Sequence, residues 1–136
     1  MNRLITGIFI MATLLCALSP ARTLAADTGV PTITLDDARA LLGTPDVVFI
    51  DGRSDVHWKP SSSKIAGAVR EDPKSADRWF AAYQRDKTLI VYCDCKAEEL
   101  SGMVTGRLRE LGFAKAYALK GGWGAWVKAG YPVETK

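Results

Sequence analysis

Two cysteines one residue apart, Cys93 and Cys95, stand where the apolar run Leu89, Ile90, Val91, Tyr92 gives way to a polar segment. A thiol in that place becomes a nucleophile once ionised, and its ionisation is set by the groups the chain folds around it. The second thiol adds two further chemistries, a resolving partner for a disulfide or a second soft ligand for a metal. The metal reading is incomplete because no nearby histidine spacing supplies the remaining ligands. The expectation is neither a metal nor a cofactor, with copper(I), a soft ion, as the minor alternative. The inert alternative is that Cys93 is a small buried residue closing a strand, the fate of many free cysteines.

The segment after Cys93 runs Asp94, Cys95, Lys96, Ala97, Glu98, Glu99, Leu100, Ser101. Asp94, Glu98 and Glu99 against Lys96 give it a formal charge of −2. Carboxylates within about 4–6 Å of a thiol disfavour the thiolate, whereas backbone N–H groups pointing at the sulfur favour it. Glu99 is expected to face solvent or to sit in the first turn of the following helix, where acids are favoured. Ser101 is expected to cap that helix.

Other candidates support the site instead of reacting. Asp51 and Arg53 follow a second apolar run and are expected to tie neighbouring loops together through hydrogen bonds. Gly121 and Gly122 give a turn that can approach the cysteine loop closely, and Trp123 and Trp126 behind them read as core. His57, the single histidine, lies in a polar stretch beside Trp58 and reads as solvent-exposed.

The elements that must position these residues follow from periodicity. Residues 32–35 read as a short strand, 35–42 as a helix capped by Thr34 or Asp36 and ended by Gly43, and 47–50 as a strand buried on both faces. From 54 to 73 the composition of Ser, Lys, Pro and Gly predicts connecting loop with a short strand near Ala68 and Val69. A helix begins near Ser75 with Trp79, Phe80 and Tyr83 on one face. A strand over 88–92, a helix over 100–111, a strand over 115–119 and a helix over 123–128 complete the chain. Strand and helix alternate throughout, which predicts an α/β fold, a central parallel sheet flanked by helices. In such sheets the working site lies beyond the carboxyl ends of the strands, where both Asp51 and Cys93 fall.

Residues 1–25 read separately, as a signal peptide: Arg3 supplies a positive charge, 4–18 is a largely apolar run, and small residues follow. The run is shorter than the ~18 residues a membrane span needs, so no span is expected in the mature chain. Cleavage after Ala25 puts Thr23 and Ala25 at the −3 and −1 positions; cleavage after Ala26 would put Leu24 at −3. Residues 26–31 then form a linker and 32–133 a single domain of ordinary size. A periplasmic or secreted, monomeric protein is the expectation. Loss of Arg3 and Arg22 lowers the net charge from +3 to +1, and the remaining bases are scattered, so nucleic acid is excluded as a partner. Cys16 leaves with the leader, and the remaining two cysteines are too few for a disulfide framework.

The stretch Ile50, Asp51, Gly52, Arg53 resembles the first signature of rhodanese-like domains, and Lys64, Ile65, Ala66, Gly67, Ala68 resembles the second, with lysine where that family usually has histidine. Val91, Tyr92, Cys93 and the segment to Ser101 occupy the place of its active-site loop. Leu111, Gly112, Phe113, then Leu119, Lys120, Gly121, Gly122, Trp123, Gly124, Ala125, Trp126, and finally Gly130, Tyr131, Pro132, Val133 resemble its closing pattern. The likeness implies a single rhodanese-like domain and a sulfurtransferase that carries sulfane sulfur as a persulfide on Cys93. Its partners would be a small sulfur donor and a thiol acceptor, either small or on a protein. The loop departs from the usual pattern: it is longer by about two residues, and Cys95, Lys96, Glu98 and Glu99 replace the common arginine and glycine. A longer loop also resembles that of the fold's phosphatase relatives, but no arginine lies between Cys93 and Ser101 to bind phosphate, which argues against that activity.

Three classes of function remain open from the residues: a persulfide-carrying sulfurtransferase, a thiol–disulfide oxidoreductase in which Cys93 attacks and Cys95 resolves, and a noncatalytic binding module. The loop charge makes thiosulfate, a dianion, an expected weak donor, and neutralising Glu98 should improve it. A Cys93–Cys95 disulfide that blocks transfer is expected if the segment curls, since Cα atoms two apart on a strand are separated by about 6.5–7 Å, near the limit for a bridge.

Overall fold

The computed structural model describes residues 29–136. The signal-peptide reading, with Cys16 and both cleavage sites, lies outside the described residues.

Five parallel strands form the central sheet: β1 (Thr32–Ile33), β2 (Val47–Asp51), β4 (Val69–Arg70), β5 (Thr88–Tyr92) and β6 (Ala116–Leu119), in the order β1-β6-β5-β2-β4. The two longest, β2 and β5, lie side by side in the middle, in a register that sets Asp51 opposite Tyr92. Successive residues of a strand point to opposite faces, so β2 and β5 feed two separate cores. Phe49, Ile90 and Tyr92 pack on one side with Ala38 of α1 (Leu35–Leu41) and Trp126 of α5 (Gly122–Lys128). Ile50, Leu89 and Val91 pack on the other with Val104 and Leu108 of α4 (Glu99–Glu110). Trp79, Phe80 and Tyr83, from α3 (Ala76–Trp79) and the 3-10 turn after it, cover the edge of this second core. The parallel sheet with helices on both faces is as the alternation predicts.

Local signals set the helix ends. The Thr34 hydroxyl caps α1 by accepting the Asp37 N–H at 3.2 Å. At the far end of α4, Gly112 takes φ +99°, a conformation that glycine adopts without the Cβ penalty.

Two features were not anticipated. The stretch read as loop contains a one-turn helix, α2 (Asp55–Trp58), and β3 (Ser63–Ile65), which pairs antiparallel with β7 (Val133–Thr135). Elements this short carry no periodicity of their own; the pairing arises because the chain end returns beside residues distant in sequence. Among the described residues no helix is long and apolar enough to cross a membrane.

Candidate active site

β5 delivers Cys93 to the carboxyl edge of the sheet, where the residue is 1% exposed. The chain then leaves the strand, bends at Asp94 and Cys95, makes one 3-10 turn over Lys96–Glu98 and enters α4 at Glu99. The bend brings the Cys93 and Cys95 Cα atoms to 5.7 Å, and the two sulfurs are joined in a disulfide. A curled segment therefore achieves what a strand would not.

The two sulfurs have different neighbours. Cys95 is half-buried and its Sγ accepts the Leu100 N–H at 3.4 Å, at the first turn of α4 where the helix dipole is positive. Cys93 Sγ lies 3.5 Å from the Ser101 hydroxyl, which donates to the Glu98 carbonyl at 3.1 Å. The N–H at the start of α4 thus serves Cys95, and among the described residues none is placed on Cys93 Sγ. Ser101 is not the cap: α4 begins at Glu99, one residue before the predicted start, and the N-cap position belongs to Glu98 in the left-handed region at φ 53° with no side-chain cap. Ser101 instead sits in the first turn, buried, with its hydroxyl turned toward the cysteine.

The start of α5 is stitched to this loop. The Trp123 N–H donates to the Cys93 carbonyl at 2.9 Å, and the Gly121 N–H donates to Glu98 Oε1 at 2.6 Å. A Cβ on Gly122 would lie 2.4 Å from the Cys93 carbonyl oxygen, so the close approach requires glycine there. Glu98 is therefore anchored; Glu99 and Lys96 are exposed and Asp94 is half-buried.

Beneath the site lies a buried polar cluster. The Arg53 guanidinium pairs with Asp51 at 2.7 Å, both fully buried, and also donates to the Ser63 carbonyl and the Ser61 hydroxyl. The Tyr92 hydroxyl donates to Asp51 Oδ2 at 2.6 Å and accepts the Ile65 N–H at 3.2 Å. Burial, with the Asp51 carboxylate beside it, pushes the Tyr92 phenol well above its ordinary range. The Trp123 ring stacks on Tyr92 and lies 4.3 Å from the Arg53 guanidinium, with Trp58 on Arg53 as well. Asp51 and Arg53 thus link the end of β2 to Tyr92 and to the segment around Ser61 and Ser63. Trp126 is core, and its indole N–H donates to the Pro132 carbonyl, whereas Trp123 is only partly buried and bridges the ion pair to the Cys93 backbone. Tyr92 and Trp58 were missed. A phenol ending an otherwise aliphatic strand is the signal that could have revealed Tyr92, because a buried hydroxyl needs a partner. His57 is exposed.

A family model for the rhodanese-like domain matches residues 34–129. The chain belongs to the rhodanese-like family. It is 31% identical over 103 residues to a thiosulfate sulfurtransferase GlpE of Glaesserella parasuis, covering 75% of this chain and 91% of that protein. A GlpE of Actinobacillus succinogenes is 29% identical, with 76% and 89% covered. Among solved structures, the rhodanese-like domain of Alr3790 from Anabaena superposes with TM-score 0.66 at 25% identity over 78% of this chain and 80% of that one. A full-length protein from Lactobacillus plantarum gives 0.69 at 26%, covering 77% and 88%. The family and these relatives support a sulfurtransferase. Where the family usually has histidine, Lys64 donates to the Ala68 carbonyl at 2.6 Å and pairs with Glu134 at 3.3 Å, bracing β3 against β7.

Proposed function

We propose that the reduced protein carries sulfane sulfur on Cys93 and passes it to a thiophilic acceptor. The Cys93 thiolate attacks the outer sulfur of a donor such as thiosulfate, the donor's S–S bond breaks, and sulfite leaves with the bonding electrons. A thiol acceptor then takes the terminal sulfur. The observation that carries this reading is the placement of Cys93 at the sheet's carboxyl edge, its carbonyl held by the Trp123 N–H and its sulfur beside Ser101. The names of the relatives at about 30% identity support the donor class. The disulfide must open first, so an oxidised protein is inactive until a thiol reduces it. Mass analysis of reduced protein after exposure to thiosulfate tests the reading: the wild type and Cys95→Ser should both react, and Cys93→Ser should not. Reaction of Cys93→Ser with loss of reaction in Cys95→Ser would overturn the assignment.

The disulfide favours a second reading, a thiol–disulfide oxidoreductase. It requires that protein or small-molecule disulfides be reduced stoichiometrically by the dithiol form, with Cys93→Ser inactive. If both thiols are inert in both assays, the chain is a binding module. We further propose that the leader is removed after Ala25 and that the monomeric protein works in the periplasm or outside the cell; N-terminal sequencing of the exported protein should begin at Ala26.

A further inference from the structure

We propose that Cys95 is an internal acceptor which discharges the Cys93 persulfide as hydrogen sulfide, so that the protein reduces sulfane sulfur and does not merely relay it. This rests on the sulfur-carrying role of Cys93 given above. Three observations lead to it.

The first is reach. The loop holds the two Cα atoms at 5.7 Å with their sulfurs bonded, so the Cys95 sulfur can occupy the position from which it attacks Cys93 Sγ. A nucleophile tethered in that way competes at a very high effective concentration against any thiol from solution. The second is ionisation. The Leu100 N–H points at Cys95 Sγ from the first turn of a twelve-residue helix, an environment that stabilises the thiolate. The third is access. Cys93 is 1% exposed while Cys95 is half-buried, which hinders a bulky external thiol more than it hinders the neighbour already inside the loop.

The step balances without any component beyond the persulfide and the second thiol. The Cys95 thiolate attacks the inner sulfur, Cys93 Sγ; the bond from Sγ to the terminal sulfur breaks, and that sulfur leaves as hydrosulfide with the electron pair. The two cysteines are oxidised to the disulfide, and the sulfane sulfur is reduced to sulfide. Attack on the terminal sulfur would only move the persulfide from one cysteine to the other, a reversible exchange. Hydrosulfide is a better leaving group than an alkyl thiolate, which drives the first course. The cycle closes when a dithiol reductant attacks the exposed side of the disulfide and restores both thiols.

The test is a single turnover. Protein reduced and freed of reductant under anaerobic conditions is mixed with excess thiosulfate, and sulfide, sulfite and intact mass are measured. The wild type should release one sulfide and one sulfite per chain and end lighter than the reduced protein by two hydrogens. Cys95→Ser, and Cys95→Ala as a second variant, should release sulfite but no sulfide and should gain the mass of one sulfur atom. If the wild type instead retains the added sulfur and releases no sulfide, this inference is overturned and the persulfide reading stands. If neither the wild type nor the Cys95 variants release sulfite or change mass, the persulfide reading itself fails, and this one with it.

Discussion

A methyl group on Gly122 would sit 2.4 Å from the carbonyl oxygen of Cys93, closer than any real pair of such atoms. Gly122 also has φ +58°, which a side chain resists. Gly122→Ala therefore pays both for the left-handed backbone and for separation of α5 from the cysteine loop. We expect a loss of about 2 kcal/mol or more in urea unfolding, and a drop in sulfur transfer larger than stability alone explains. Unchanged activity in the folded variant would show that the Cys93 backbone tolerates displacement.

Glu98 brings negative charge to the loop while its carboxylate anchors the Gly121 N–H. Glu98→Gln keeps an acceptor for that N–H and removes the charge, an effect of about 1 kcal/mol on an approaching dianion at surface-like dielectric. kcat/KM for thiosulfate should rise several-fold. Glu98→Ala removes the acceptor as well and should lose about 1 kcal/mol of stability. No rise for Glu98→Gln would place the carboxylate away from the donor's path.

Arg53 and Asp51 are both fully buried, so removing one leaves the other charged and unpaired. Arg53→Met should cost about 3–5 kcal/mol, a large part of the stability of a small domain. Tyr92→Phe takes a donor from Asp51 and an acceptor from the Ile65 N–H and should cost about 1–3 kcal/mol. Denaturant midpoints would measure both, and near-neutral values would mean that water replaces the lost partners.

Burial raises the ionisation of Tyr92 and Tyr83 far above the usual phenol range, helped by Asp51 and Glu71 respectively. In the unfolded chain these phenols ionise near pH 10. Below that pH both states hold the proton and the folded protein keeps its full stability. Above it the unfolded state releases protons that the folded state retains, so stability falls as the pH climbs through about 10 toward the folded values. Absorbance of phenolate should show these two tyrosines titrating only with alkaline unfolding; their early, reversible titration in folded protein would contradict the burial of Tyr92 against Asp51 and the Tyr83–Glu71 hydrogen bond.

Much of this protein is legible in its sequence. The apolar runs ending at Ile50 and Tyr92 are strands because continuous apolar residues fit a sheet covered on both faces, and alternation with helical segments dictates parallel pairing. That pairing puts Asp51 and Cys93 at one edge before any coordinate is known. Which sulfur receives the helix N–H, how Glu98 becomes an anchor for Gly121, and the descent of Trp123 onto Arg53 and Tyr92 were decided only in three dimensions. The reason is physical: helix and strand periodicity is local and repeats every few residues, whereas each of these contacts is a single meeting of groups whose direction depends on how α4 and α5 settle against the sheet. Ser101 makes the difference concrete. As a residue type it reads as a cap, yet a helix that starts at Glu99 turns its hydroxyl inward, onto the sulfur of Cys93.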